Sequence, residues 1–207
     1  MKLIIGDKNL SSWSLRPWLV LKAFQIPFEE IKIWLDQPTT KAEIEKYSPS
    51  GKVPCLIDGN LVLPESLAIC EYLNDRFSEK NMWPADIKKR AWARSISHEM
   101  HGGFQILRSH MPHHVKERFP GFDLSKAKDD IARIERIWTE CRESHRSQGR
   151  YLFGEFSIAD AMFAPVVNRF RAYDVKGSPW TKEYMNTMLK HPAMLEWEQE
   201  ALKEIRP

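Results

Sequence analysis

The sequence predicts an α/β domain followed by an all-helical domain. Over the first 80 residues, short apolar runs typical of strands alternate with amphipathic helical segments. After about Asp86 the strand patterns largely vanish, and apolar residues recur at three- and four-residue steps, as at Ile131, Ile134 and Ile137. Alternating strands and helices favour an α/β fold, and a following run of helices favours a second domain. We place the domains at residues 1–77 and 87–207, joined by a linker at 78–86.

The N-terminal elements are predicted in the order β-α-β-α-β-β-α. Period-two alternation or a short buried apolar run marks each strand, and a one-sided apolar stripe marks each helix. An Asp-Gly turn at Asp58 and Gly59 joins the last two strands as a hairpin. The segments that carry these patterns are, in chain order, KLIIG, LRPWLVLKAF, EEIKIWL, TKAEIEKY, VPCLID, LVLP and ESLAICEYLNDRF.

Helical periodicity dominates the second half of the chain. A long helical pattern over residues 87–111 is interrupted at Gly102 and Gly103, where two glycines weaken a helix. The further helical segments are LSKAKDDIARIERIWTECRESHR, SIADAMFAPVVNRFRAY and PAMLEWEQEALKEI. No internal repeat or low-complexity tract is present.

Composition narrows the class of protein. The 207-residue chain has 43% hydrophobic residues, enough for one large core or two smaller ones, and a formal net charge of only +3. This charge argues against a nucleic-acid partner. Three cysteines far apart in the sequence give no disulfide framework and fit a reducing compartment. The apolar runs are too short for a signal peptide or for the roughly 20 residues of a membrane span, so we expect a soluble cytoplasmic protein without a membrane partner.

The stretch NLSSWSLRPW lies between the first predicted strand and the first helix. Ser14 is predicted to cap the helix, because a serine oxygen there can accept a free backbone N–H. Ser11 and Ser12 precede that cap, at a junction where helix N–H groups and the helix dipole favour an anion. The junction could therefore bind and activate an external thiol, since the stretch contains no cysteine of its own.

Two further segments suggest contacts with a peptide-like ligand. Pro54 opens the predicted strand VPCLID, so the backbone of Val53 could pair with an extended ligand, although a plain strand-start proline fits the same pattern. Glu65 and Ser66 open the third helix. Ser66 either caps that helix or binds a ligand carboxylate at its N-terminus, while Glu65 could accept hydrogen bonds from an ammonium. A carboxylate and an ammonium together describe an amino-acid head group.

Four segments in order resemble the cytosolic glutathione transferases. They are SSWSLR, KVP, ESLAICEYL and SIADAMFAPV, the last with Ser157 and Asp160 as a capping box. SSWSLR is similar to the SSxSxR pattern of the serine-type zeta class, and EMHGGFQILRSHMP resembles a bacterial subgroup. The resemblance implies a thioredoxin-like domain, an all-α domain, a cytoplasmic homodimer and glutathione as co-substrate.

The resemblance also implies a role for individual residues. Ser11, supported by Ser12, would stabilise the thiolate of glutathione for attack on an electrophile held by the helical domain. Lys52 would reach the glycyl carboxylate. The residues implied to bind glutathione are Lys52, Val53, Pro54 as a cis-proline, Glu65 and Ser66. Those implied to line the electrophile pocket are Trp13, His101 and Arg108.

One departure from the zeta pattern leaves alternatives open. SSWSLR supports a glutathione-dependent cis-trans isomerase as an alternative to a transferase, but zeta-like proteins have a cysteine where this chain has Trp13, which weakens that alternative. A non-catalytic binding module of the same fold is a second alternative. The combination of Ser11, Lys52 and Glu65 favours a working thiol site.

The histidines and cysteines form no pattern that predicts a metal site or a reactive thiol. His98 and His101 share one helix face, a spacing that metal ligands use, but no further ligand pattern accompanies them. We therefore expect no metal. Cys55 is predicted to pack as a small buried apolar residue rather than to react.

Overall fold

The computed structural model describes residues 1–207, beginning with a four-stranded sheet. The strand order is β2-β1-β3-β4, with β1 parallel to β2 and the other two pairs antiparallel. The strands are β1 (Lys2–Gly6), β2 (Glu29–Ile33), β3 (Cys55–Asp58) and β4 (Leu61–Pro64). This mixed sheet and the order of its helices confirm the predicted β-α-β-α-β-β-α arrangement.

Helices cover both faces of the sheet. They are α1 (Ser12–Ala23), α2 (Thr40–Glu45) and α3 (Ser66–Arg76). Side chains alternate across strand β1, so Leu3 and Ile5 join the large core that contains α1 and α3. Ile4 points to the other face, where it packs in a small cluster with Ile44 of α2. The sheet therefore holds the start of α1 rigidly at the carboxyl end of β1.

Six helices follow, and α7 lies at their centre. They are α4 (Ile87–Gly102), α5 (Gln105–His110), α6 (Lys128–His145), α7 (Ile158–Ala172), α8 (Pro179–Leu189) and α9 (Pro192–Lys203). Short 3-10 turns lie at Ser78–Lys80, Ser125–Ala127 and Arg146–Gln148. The predicted capping box at Ser157 and Asp160 is present at the start of α7. None of the helices has the length and apolar character that crossing a membrane requires.

One apolar core runs through both halves of the chain. Helix α1 packs against α7 and α9 as well as against its own sheet. The indole rings of Trp18 in α1 and Trp197 in α9 meet edge to face with their centroids 5.0 Å apart. At the rim of this contact the Lys22 Nζ lies 2.6 Å from a carboxylate oxygen of Glu196. The helical half therefore fixes the orientation of α1 from the side opposite to the sheet.

Candidate active site

A cavity of about 320 Å³ opens where the two halves of the chain meet. Its walls come from the first turn of α1, the segment before β3, the β4–α3 junction and the end of α4. The residues that line it are Trp13, Ser50, Lys52, Val53, Pro54, Pro64, Glu65, Ser66 and His101. All five residues assigned to glutathione by resemblance stand in this wall, together with Trp13 and His101.

Three of the predicted site residues lie outside the wall. Ser11 and Ser12 are buried immediately next to Trp13, and Arg108 lies behind the Trp13 ring. Conversely, the sequence pattern did not reveal Ser50 and Pro64 as wall residues. Ser50 lies in a turn between α2 and β3, and Pro64 is the last residue of β4. No local signal distinguishes such positions from ordinary turn and strand ends.

Glu65, and not Ser66, caps helix α3. Its carboxylate accepts hydrogen bonds from the N–H groups of Leu67 and Ala68, both at 2.9 Å, and from the Ser66 hydroxyl at 3.1 Å. The cap prediction for Ser66 is therefore wrong, because Ser66 is already the first helical residue. A carboxylate reaches two free N–H groups at once and carries the charge that a helix N-terminus favours.

The backbone of Glu65 is unusual as well. Its φ of 149° and ψ of 130° lie in a region that is almost restricted to glycine and costs a non-glycine residue about 1–3 kcal/mol. Such strain persists only where the surroundings enforce it, and it is concentrated at functional sites. The two backbone hydrogen bonds to the Glu65 carboxylate help to enforce it here. The strained backbone turns Glu65 and Ser66 together toward the cavity.

Val53 belongs to the same cavity wall. The Val53–Pro54 peptide bond is cis, as the resemblance implies. Strand β3 begins only at Cys55, so the N–H and C=O of Val53 are not used by the sheet ladder. Free backbone groups beside a sheet can pair with an extended peptide. Lys52 adds a cationic side chain to the same wall.

Helix α1 starts three residues earlier than predicted. Helix α1 begins at Ser12, so Ser14 lies inside it and is not the N-cap. Its Oγ instead accepts the N–H of Gly6 at 3.1 Å and the hydroxyl of Ser11 at 2.7 Å. Because the helix starts earlier than expected, the Ser14 hydroxyl turns back to strand β1 and ties the two elements together. Ser11 occupies the cap position, and its side chain makes no capping hydrogen bond.

Trp13 separates the cavity from two arginines. Its ring lies 4.3 Å from the Arg16 guanidinium carbon and 4.6 Å from that of Arg108, within the range of cation–π attraction. Arg108 is anchored by backbone carbonyls at the end of α4, including that of Gly103 at 3.0 Å. Arg16 is buried, and its Nε and Nη1 have no hydrogen-bond partner. Positive charge therefore stands behind Trp13, next to the first turn of α1.

His101 faces Trp13 and Glu65 across the cavity. Its ring meets the Trp13 ring edge to face at 5.2 Å between centroids, and its Nε2 lies 3.5 Å from a Glu65 oxygen. Burial lowers the pKa of His101 below its usual value, and the guanidinium groups of Arg16 and Arg108 act in the same direction against the opposing pull of Glu65. The imidazole is therefore neutral at neutral pH, which leaves Lys52 as the cation of the cavity wall.

The cysteines are not placed for thiol chemistry. Cys55, Cys70 and Cys141 are free and buried, and burial raises the pKa of each thiol. The complete burial of Cys55 agrees with its predicted packing role. A thiolate at the cavity must consequently come from a ligand.

The histidine-rich helix shows ordinary polar contacts. His98 Nδ1 lies 2.8 Å from the backbone oxygen of Arg94, and Glu99 forms a bidentate pair with Arg133 at 2.7 and 2.8 Å. No group of three or more His, Cys, Asp or Glu side chains is arranged to hold a metal ion.

Comparison with known proteins identifies the family. The glutathione S-transferase N-terminal domain matches residues 10–76, and the glutathione S-transferase C-terminal domain matches residues 100–200. Glutathione S-transferase 1 of Dianthus caryophyllus is 30% identical over 81% of this chain and 76% of its own length. A probable maleylacetoacetate isomerase of Caenorhabditis elegans is 28% identical over 91% of this chain and 88% of its own.

A solved structure shares the complete fold. It is a maleyl pyruvate isomerase described as a bacterial glutathione S-transferase of the zeta class, with a TM-score of 0.76, 21% identity and full coverage of both chains. At that identity the likeness concerns the fold, while the sequence relatives and the two matched domains carry the assignment. The chain is thus a zeta-like member of the cytosolic glutathione S-transferase family and an enzyme of that family.

Proposed function

We propose that this chain binds glutathione in the cavity beside α1 and that Ser11 stabilises its thiolate for attack on an electrophile. The observation that carries the proposal is the meeting of Lys52, Val53 and Glu65 in one wall next to the serine-rich start of α1. Lys52 and Val53 come from the loop before β3, Glu65 comes from the β4–α3 junction, and their chemistry together with that of Ser11 matches the parts of glutathione. A scaffold that binds no glutathione would have no use for this combination.

Each end of glutathione has a complementary group. Glu65 uses its carboxylate to cap α3, but a carboxylate has about four lone-pair positions, so it retains capacity for a ligand ammonium. The N-terminus of α3 at Ser66 favours the adjacent ligand carboxylate. We assign the glycyl carboxylate to Lys52 and the cysteinyl residue to the backbone of Val53, because both residues line the cavity.

The thiolate requires only a modest stabilisation. A free thiol has a pKa of about 8.5, and each unit of lowering corresponds to about 1.4 kcal/mol. A hydrogen bond to a charged group contributes roughly 1.5–3 kcal/mol, so one bond from the Ser11 hydroxyl would lower the thiol pKa by about one to two units. The start of α1 and the charge behind Trp13 add to this effect.

We assign the electrophile to the side of the cavity walled by Trp13 and His101, with Arg108 behind them. The thiolate sulfur would form a bond to the electrophilic carbon, and the electron pair would leave with the departing group or be protonated on the adduct. A glutathione-dependent isomerase is the second candidate, favoured by the relatedness to a probable maleylacetoacetate isomerase. In that reaction the sulfur would add to a double bond and leave again.

The setting that we propose is typical of the family. It comprises a glutathione-binding domain at residues 1–77, a linker at 78–86, a helical electrophile-binding domain at 87–207, a homodimer and the cytoplasm. Edge strand β4 exposes Leu61 and Val62, apolar side chains that a second copy could cover. The three free, buried cysteines agree with a reducing compartment.

Retention on immobilised glutathione, followed by turnover with a panel of electrophiles, tests this proposal. The wild-type chain should be retained and should conjugate glutathione to at least one electrophile. Lys52→Ala should lose most of its affinity for glutathione, whereas Lys41→Ala, which removes an exposed lysine outside the cavity, should bind like the wild type. Neither retention nor turnover by the wild type would support the non-catalytic alternative and refute the proposal.

A further inference from the structure

We infer that Asn9, which does not line the cavity, positions Ser11 by fastening the β1–α1 loop to the helical half of the chain. The inference rests on the proposed role of Ser11. The β1–α1 loop is the segment Asp7–Ser11, and its partner is residues 111–117, which follow α5. The amide of Asn9 joins the two segments and is buried between them.

Every hydrogen-bonding position of the Asn9 amide is directed at that partner segment. Its Oδ1 accepts the backbone N–H groups of Val115 and Lys116, both at 3.0 Å. Its Nδ2 faces both oxygens of Glu117, at 3.3 and 3.2 Å. The site needs an acceptor for two N–H groups and a donor to a carboxylate, and the asparagine amide supplies both from one side chain.

The backbone of Asn9 is held from a second direction. The Glu204 carboxylate accepts the N–H of Lys8 at 2.8 Å and that of Asn9 at 3.1 Å. Lys116 Nζ in turn lies 2.6 Å from the backbone oxygen of Glu204. Glu204 and the segment 111–117 therefore both hold the β1–α1 loop by hydrogen bonds, and both belong to the helical half.

A shift of Asn9 would be transmitted to Ser11. The loop is a compact turn in which the Ser11 N–H donates to the Asp7 backbone oxygen at 3.0 Å, and the Leu10 N–H donates to the Asp7 carboxylate at 3.2 Å. Asn9 lies between these bridged positions, two residues before Ser11. The hydrogen bonds to the partner segment thus help to fix the position of Ser11 at the start of α1.

The partner segment itself is firmly anchored. Arg169 Nε donates to the backbone oxygen of Met111 at 2.8 Å, and the Asn168 amide lies 3.2 Å from the buried His113 ring. Both anchoring residues lie in the buried helix α7. The same segment follows directly on α5, which carries Arg108 behind Trp13. Asn9 therefore fixes the position of Ser11 relative to the cavity wall that we assign to the electrophile.

The hydrogen bonds of Asn9 are not needed merely to hold the two halves of the chain together. The two halves of the chain are already joined by the Trp18–Trp197 contact and the Lys22–Glu196 pair, which lie along α1 away from Ser11. Loss of the Asn9 amide would loosen the loop locally, while the contacts of its backbone with Glu204 and the interface along α1 persist. We therefore expect a change in the pKa of the bound thiol and in kcat. The affinity for glutathione should stay the same, because Lys52 and Glu65 lie on other loops.

The test compares three variants by the pKa of bound glutathione, read from the ultraviolet absorbance of the thiolate, and by kcat and KM. Asn9→Ala should raise that pKa by about one unit and lower kcat by roughly tenfold, with KM for glutathione within about twofold of the wild type. Asn9→Asp should act similarly, because it places a carboxylate against Glu117. The double variant Asn9→Asp/Glu117→Gln restores the donor–acceptor pairing with its polarity reversed and should recover most of both values.

Lys22→Ala serves as the control for loosening the interface elsewhere, and it should leave the pKa of bound glutathione unchanged. An Asn9→Ala protein with the thiol pKa and kcat of the wild type would overturn the inference while leaving the proposed function intact. So would a double variant no better than Asn9→Asp. If wild-type protein binds glutathione without forming any thiolate, the proposed role of Ser11 fails, and the inference fails with it.

Discussion

The Ser11 hydroxyl lies 2.7 Å from the hydroxyl of Ser14, which also accepts the N–H of Gly6 at 3.1 Å. A serine hydroxyl both donates and accepts, and its hydrogen rotates to suit its partners. When an anionic sulfur lies next to Ser11, Ser11 can donate to the sulfur while Ser14 donates to Ser11. Hydrogen bonds arranged in such a chain strengthen one another.

This pairing predicts that Ser14→Ala impairs both activity and folding. The variant removes the donor behind Ser11 and leaves the buried N–H of Gly6 without an acceptor, which costs about 1–3 kcal/mol of unfolding free energy. We expect kcat to fall severalfold, and urea unfolding to show the loss of stability. Wild-type kcat together with wild-type stability would show that the contact between the two hydroxyls has no role.

Glu65 is predicted to serve both the helix and the ligand. Glu65→Ala removes the cap of α3 and should destabilise the protein by about 1–2 kcal/mol, and it should also abolish retention on immobilised glutathione. Asp86→Ala is a matched control, because Asp86 caps α4 by accepting the N–H of Lys89 at 2.9 Å and lies outside the cavity. The control should lose stability and still bind glutathione. Full retention of Glu65→Ala would remove Glu65 from the glutathione site.

The buried His113 is predicted to lower the free energy of unfolding in mild acid. Burial lowers the pKa of His113 well below its usual value near 6.5. As the pH falls through about 6.5, the unfolded chain takes up a proton on this side chain and the folded chain does not, so the folded state is disfavoured. One such group decreases the unfolding free energy by up to about 1.4 kcal/mol per pH unit.

Unfolding of His113→Gln by urea between pH 7 and pH 5 checks this sign. The variant keeps a polar group opposite Asn168 but cannot take up the proton. Its unfolding free energy should therefore depend less steeply on pH than that of the wild type. A variant with an unchanged slope would show that His113 titrates normally in the folded protein.

Patterning predicted the order of strands and helices because the elements alternate between period-two and helical periodicity, and because single turns separate them. The wall residues Val53 and Glu65 were predictable for a related reason, whereas Lys52 was assigned only from the resemblance to the family. Val53 and Glu65 each lie in a short loop next to a well-marked element, so the place of each in the fold follows from that element.

Local sequence patterns do not determine where these helices start or which distant segments come into contact. Ser14 and Ser66 are good capping residues by type, yet each helix begins earlier than its serine would require, and the residue type does not reveal that shift. The contact of Asn9 with Val115 spans 106 positions, and neither segment has a local pattern that points to the other. Such pairs depend on how the helices pack.

The most direct test of the central claim is the pKa of the glutathione thiol bound to the wild-type protein and to Ser11→Ala. The wild type should hold the thiol at least about one unit below its free value of about 8.5. Ser11→Ala should still bind glutathione, with a thiol close to the free value and most turnover lost, while Ser12→Ala should have the smaller effect. An unshifted pKa in the wild type, or a Ser11→Ala protein with the same pKa and turnover as the wild type, would contradict the claim.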